Sequence, residues 1–210
     1  MSDLHRALAQ IEAIRDQVAR ATEFRGYDPG TLAGTGALAA IAAALQGALI
    51  NTPARHPSAY LKLWVGTAAL SLALISVETV SRVRRSHSTL ALPMLRSAGG
   101  EFLPSIVAGL LLTVVIARDS AAEVWMLPGL WQVIFSLGVF SSCRLLPRPM
   151  FAVGLWYLST GLILLACGNG ACGEGACALS PWAMGIPFGI GQILVAAVLR
   201  FGHWETNEIS

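Results

Sequence analysis

Charge is scarce in this sequence. Asp, Glu, Lys and Arg make up 12% of its 210 residues, against roughly 25% in ordinary soluble domains. That scarcity argues against a soluble enzyme, and it excludes a disordered chain, which needs charge to stay solvated. Lysine is almost missing, with Lys62 the single example among 14 basic residues, so no lysine is available mid-membrane for a retinal-type Schiff base. The four histidines, His5, His56, His87 and His203, all fall outside the long apolar runs. Paired axial haem ligands and an intramembrane Ser-His couple both need histidine inside such runs. No C-x-x-C, H-E-x-x-H, P-loop or strand-linked G-x-G-x-x-G occurs. No catalytic residue, metal site or cofactor is therefore assigned, and an enzyme is the weaker expectation. A net charge of +2, with no basic run interleaved with aromatics, also argues against a nucleic-acid partner.

Apolar residues are abundant, at 55% of the chain with a mean hydropathy of +0.63. Six runs approach the roughly 20 apolar residues of a spanning helix: residues 31–50, 61–80, 102–117, 124–143, 150–167 and 181–199. The expected fold is all-α, a polytopic membrane bundle of six transmembrane helices over residues 30–200. Before it stands an N-terminal segment, 1–29, and after it a short tail, 201–210. No short apolar core with a cleavage site opens the chain, so the first span is expected to act as its own insertion signal.

Charge placement orients the bundle. With the N-terminus inside and six alternating spans, the inner side holds Arg6, Arg15, Arg20, Arg25, Arg82, Arg84, Arg85, Arg96, Arg144, Arg148 and Arg200. Only Arg55, Lys62 and Arg118 of the 14 basic residues lie outside. Excess Lys/Arg marks the cytoplasmic side, which predicts a multi-pass bacterial inner-membrane protein with both termini cytoplasmic. Trp64, Trp125 and Trp182 fall near outer ends, where interfacial tryptophans are expected.

Leu4, Leu8, Ile11, Ile14 and Val18 recur at helical spacing with charged residues between them. Residues 2–24 therefore read as an amphipathic helix, lying on the inner leaflet or docking on a cytoplasmic partner or a second copy of the chain. Between the second and third spans, Arg82, Arg84 and Arg85 continue the second helix past the membrane, and Gly99-Gly100 reads as a break.

Polar residues inside apolar runs are the candidate functional groups. Gln46, Gln132 and Gln192 lie within the first, fourth and sixth spans, and Trp131 adjoins Gln132. Gly129-Leu130-Trp131-Gln132 resembles Gly189-Ile190-Gly191-Gln192, each behind a proline, Pro128 or Pro187. These residues suggest hydrogen bonds across packed helices or, as the alternative, a small polar pocket with Trp131 as an aromatic wall. Glu78 and Glu101 lie near the inner ends of the second and third spans and form a candidate ion or proton site. Their structural alternatives are an ion pair with Arg82 one turn on and a helix-dipole contact. Cys167, Cys172 and Cys177 share an outer glycine-rich loop, where two of the three form a candidate disulfide. Small residues four apart, including Ala39/Ala43 and Gly185/Gly189, permit close helix contacts, in a tight bundle or in a homo-oligomer.

The stretches LPGLWQVIFSLGVFSSCRLLPRPMFAVGLWYL (127–158) and ALSPWAMGIPFGIGQ (178–192) resemble a family of uncharacterised bacterial inner-membrane proteins of about this length. The similarity extends through Glu101-Phe102-Leu103-Pro104 and Phe24-Arg25-Gly26-Tyr27. It implies a six-helix membrane protein and assigns no activity. The expected function is binding or transport of a small molecule or lipid in an intramembrane pocket. The alternative is a structural or regulatory membrane protein acting through oligomerisation or a cytoplasmic partner.

Overall fold

The computed structural model describes His5 and residues 28–50, 52–85, 91–119, 121–143, 149–167 and 177–201. The expected amphipathic helix at 2–24 lies outside the described residues, His5 apart, as does the tail beyond Phe201. The described chain forms six α-helices and one short 3-10 turn. They are α1 (Pro29–Leu49), α2 (Pro57–Arg85), α3 (Ala91–Asp119), the turn Ala121–Met126, α4 (Leu127–Ser142), α5 (Met150–Cys167) and α6 (Pro181–Phe201). Six helical segments are long and apolar enough to cross a membrane, one within each of α1, α2, α3, α5 and α6 and one, Glu123–Ser142, made of the end of the 3-10 turn with α4.

Local chemistry sets the boundaries. α1 begins two residues earlier than its apolar run, because Asp28 caps it. Its Oδ2 accepts from Thr31 N at 2.9 Å and from Thr31 Oγ1 at 3.2 Å, and Pro29 fits the first turn, where no N–H is needed. α2 starts at Pro57 and runs unbroken to Arg85. The expected break at Gly99-Gly100 does not occur, since α3 passes straight through both glycines. Each glycine costs about 1 kcal/mol in a helix. Leaving backbone groups unpaired beside a membrane costs more, so the helix continues.

Short connections between α1 and α2 and between α4 and α5 reverse the chain, and the near end of the bundle is defined here by the start of α1. The helices pack in the spatial series α2, α1, α6, α5, α4, α3. Consequently α2 and α3, neighbours in sequence, stand at the two extremes of the series and scarcely touch. The tightest pair is α1 with α6. A Cβ on Gly36 would lie 3.1 Å from Gly189 O, and one on Gly185 would lie 2.6 Å from Ala43 Cβ. The small-residue spacing thus joins α1 to α6.

Apolar side chains form two clusters. Ala42, Ala43, Tyr60, Trp64, Leu127 and Met184 pack at the far end. Leu32, Val139, Met150, Val153, Tyr157 and Leu199 pack towards the near end. Trp64, expected at an interface, is instead in the core, 3% exposed. Phe102, Phe135, Tyr157 and Phe188 stack between α3, α4, α5 and α6, with successive ring centroids 4.6 to 5.5 Å apart. Outward, α2 exposes Leu70, Leu72, Leu74 and Val77, and α3 exposes Leu103, Leu110, Leu111 and Val115. Two such aliphatic faces would be untenable in water and suit a hydrocarbon surround.

Candidate functional site

The three glutamines have three separate surroundings. Gln46 is fully buried and doubly bonded: Nε2 donates to Leu179 O at 2.7 Å, and Oε1 accepts from Trp64 Nε1 at 2.7 Å. It ties α1 to α2 and to the segment that leads into α6. Gln132 Nε2 donates to Ala183 O at 3.0 Å. Ala183 is four residues before Pro187, whose ring nitrogen has no hydrogen to return to it. Gln132 thus completes a helix bond that the proline removes. Trp156 Nε1 donates to Pro187 O at 3.0 Å, so the proline turn is held from α4 and from α5.

Gln192 lies about 13 Å further along α6 than Ala183, at 1.5 Å per residue. Its Cβ is against Gly36, and its amide lies beside the Tyr157 phenol. Among the described residues, neither Gln192 Oε1 nor Tyr157 Oη closes a hydrogen bond, nor do Gln132 Oε1 and Tyr60 Oη. Trp131 turns towards α3 and donates Nε1 to Thr113 Oγ1 at 2.8 Å. The structure therefore does not gather Gln46, Trp131, Gln132 and Gln192 round one space. Most of their donors are taken up by protein acceptors across helix contacts.

A recess opens at the near end, between the start of α1 and the stretch of α2 around Ile75–Thr79. Asp28, Thr31, Leu32, Ile75, Glu78 and Thr79 line it, and its open space is about 140 Å³. It is a slot, too narrow along its floor to enclose a whole water molecule. Thr79 is only 3% exposed. Asp28 and Glu78 are half-buried. Asp28 and Glu78 bring carboxylates and Thr31 and Thr79 bring hydroxyls, of which Thr31 Oγ1 donates to Asp28 Oδ2; the rest of the lining is Leu32 and Ile75.

Glu78 and Glu101 are placed differently. Glu78 shares the slot with Asp28, whereas Glu101 is exposed on α3, where its backbone carbonyl accepts from Ser141 Oγ at 2.9 Å. Among the cysteines, Cys177 is disulfide-bonded, while Cys167, exposed, and Cys143, half-buried, are free thiols. Cys172 lies outside the described residues. No group of three or more His, Cys, Asp or Glu side chains able to hold a metal is present among the described residues.

Asp28 and Thr79 were not singled out by their sequence surroundings. The signal for Asp28 was the cap chemistry of Asp-Pro at a helix start. For Thr79, beside Glu78 in an apolar helix, only the phase of α2 against α1 reveals its place in the slot. The chain matches no protein-family model, no curated protein and no solved structure.

Proposed function

We propose that the chain is a multi-pass inner-membrane protein that binds a small molecule or lipid at the slot between α1 and α2. The supporting observation is Thr79. Its side chain is 3% exposed and lines the slot beside Asp28 and Glu78, a polar grouping in an otherwise apolar bundle. The arginine partition places this near end on the cytoplasmic side. The floor of the slot encloses no whole water molecule, so the bound part is an end group at its mouth, with the remainder of the ligand lying along the outer surface of α1 and α2.

The test is native mass spectrometry of the protein released from mild detergent. Wild type is expected to retain a discrete extra mass that Thr79→Val loses. Equal retention by both proteins overturns this reading.

A second reading has one specific observation behind it. α1 turns Gly34, Ala37, Ala40, Ala44 and Ala48 outward along one face, a surface on which a second helix can approach closely. A structural or regulatory protein acting through a homo-oligomer would use that face, with residues 2–24 free for a cytoplasmic partner. Ala40→Phe should then dissolve the oligomer, and deletion of residues 2–24 should abolish partner capture. An unchanged oligomer mass for Ala40→Phe removes the first of these roles.

A further inference from the structure

We propose that the interior of the bundle binds water where Tyr157 of α5 meets Gln192 of α6; this goes beyond the slot between α1 and α2 and does not depend on it. Two atoms carry the proposal. Tyr157 is 0% exposed and Gln192 is 9% exposed. The amide and the phenol adjoin, yet Tyr157 Oη and Gln192 Oε1 are both buried without a hydrogen-bond partner among the described residues. A buried polar atom left in this condition destabilises the fold, and neither lipid nor an apolar side chain can relieve it. Two such atoms on neighbouring helices are satisfied together by one small ligand shared between them.

The chemistry of the two atoms selects that ligand. A phenol donates one hydrogen, and an amide oxygen only accepts. The shared ligand must therefore accept from Tyr157 and donate to Gln192. Water and hydroxyl groups do both, whereas an ammonium only donates and an ionised carboxylate only accepts. Ions are excluded on a second ground. The apolar cluster that contains Tyr157 includes no Asp, Glu, Lys, Arg or His, and a buried ion without a countercharge is too costly. Size then separates water from larger alcohols. The rings of Phe135 and Phe188 lie 4.6 and 5.2 Å from the Tyr157 ring, centroid to centroid. A Cβ on Gly36 would lie 3.1 Å from Gln192 Cβ. Neighbours this close do not admit a carbon frame.

Gly191 contributes to the same site. A Cβ there would overlap the Tyr157 hydroxyl, so only glycine lets the phenol reach the backbone of α6 beside Gln192. The bound water gives α5 and α6 a second polar joint. The first is Trp156 Nε1 on Pro187 O, about 7.5 Å back along α6 at 1.5 Å per residue. A bridging water is enthalpically close to a direct hydrogen bond.

The experiment is X-ray radiolytic labelling of the full-length protein in mild detergent, read residue by residue by mass spectrometry. Hydroxyl radicals formed from a bound water oxidise the side chain beside it. Tyr157 is expected to be labelled in spite of its burial, several-fold more than Trp64, which is also buried but bonded directly to Gln46. Gln192→Leu should remove that excess. Labelling of Tyr157 no greater than that of Trp64 overturns the proposal. If Gln192→Leu fails to fold, the wild-type comparison decides by itself.

Thermal unfolding gives a second readout. Tyr157→Phe removes a bonded hydroxyl and should lower the midpoint by about 2–4 °C. A raised midpoint overturns the proposal, because it means that the hydroxyl was an orphan in a dry interior. A lowered midpoint with Tyr157 unlabelled also overturns it, in favour of a direct bond to Gln192. None of these outcomes bears on the slot between α1 and α2.

Discussion

Gln132 supplies the hydrogen bond that Pro187 takes from Ala183. Its Nε2 lies 3.0 Å from the Ala183 carbonyl oxygen, the group that residue 187 would satisfy in an uninterrupted helix. In hydrocarbon no water replaces a missing partner, so a proline in a membrane helix needs such a donor from a neighbour. The two residues should therefore be energetically coupled. Gln132→Leu is expected to destabilise the protein by about 1–3 kcal/mol, the cost of an orphaned buried acceptor. In a Pro187→Ala background, residue 187 regains its N–H and the same substitution should cost less than half as much. A double-mutant cycle on reversible unfolding in detergent measures this. Strict additivity of the two changes would show that the bond does not substitute for the helix one.

Gln46 makes a second, sharper test of the same physics. Gln46→Leu strips the partners from both Trp64 Nε1 and Leu179 O. Trp64→Phe removes only one of the two bonds. The expected order is Gln46→Leu at about 2 kcal/mol or more and Trp64→Phe at about 1 kcal/mol. The double variant should be little worse than Gln46→Leu alone, because its main bonds are already gone. Thermal unfolding followed by tryptophan-independent circular dichroism gives the comparison.

The glycines divide into two groups by what surrounds them. A methyl on Gly185 would meet Ala43 Cβ at 2.6 Å, and one on Gly191 would enter the Tyr157 ring. Gly185→Ala and Gly191→Ala should each destabilise by about 1–3 kcal/mol through overpacking. Nothing lies within 4 Å of a methyl on Gly34 or Gly66. There, alanine should add stability of about 0.5–1 kcal/mol from helix propensity. The reverse order would mean that α1 and α6 are not in contact.

The free thiols report orientation. Cys143 follows the end of α4 and Cys167 ends α5, so they mark opposite ends of the bundle. With the near end cytoplasmic, a membrane-impermeant maleimide added to intact cells should label Cys167 and spare Cys143. Labelling of Cys143 alone would invert the topology. In permeabilised cells, Cys143 should react slowly and gain rate as pH rises. Burial pushes its thiol up, so less reactive thiolate exists at neutral pH.

Several features of this protein were legible in its residues. Apolar runs located all six helices, and α2 continues through Arg82, Arg84 and Arg85, beyond its membrane-length segment, which ends at Ser81. Asp28-Pro29 carried the start of α1 for anyone weighing cap chemistry above hydropathy. The prolines and glutamines were visible as exceptions within apolar helices, but not as partners, because Gln132 and Pro187 lie 55 positions apart. The Gly99-Gly100 pair misled for a different reason. Glycine breaks helices where water competes for the backbone, and beside a membrane that competition is weak.

Composition and run length by themselves determined that this is an all-helical chain with six membrane-length segments. Those properties follow from transferring each segment from water to hydrocarbon, a cost that depends on residue type alone. Only the tertiary structure decided which faces meet: α1 on α6, Gln132 at the proline gap, and Thr79 in the slot beside Asp28. A helix surrounded by lipid is apolar on every side, so hydropathy carries no phase for its packing face. Close contact there depends on the shapes of particular side chains and on where each polar group finds a partner. Those choices are settled between helices and are not written in any one of them.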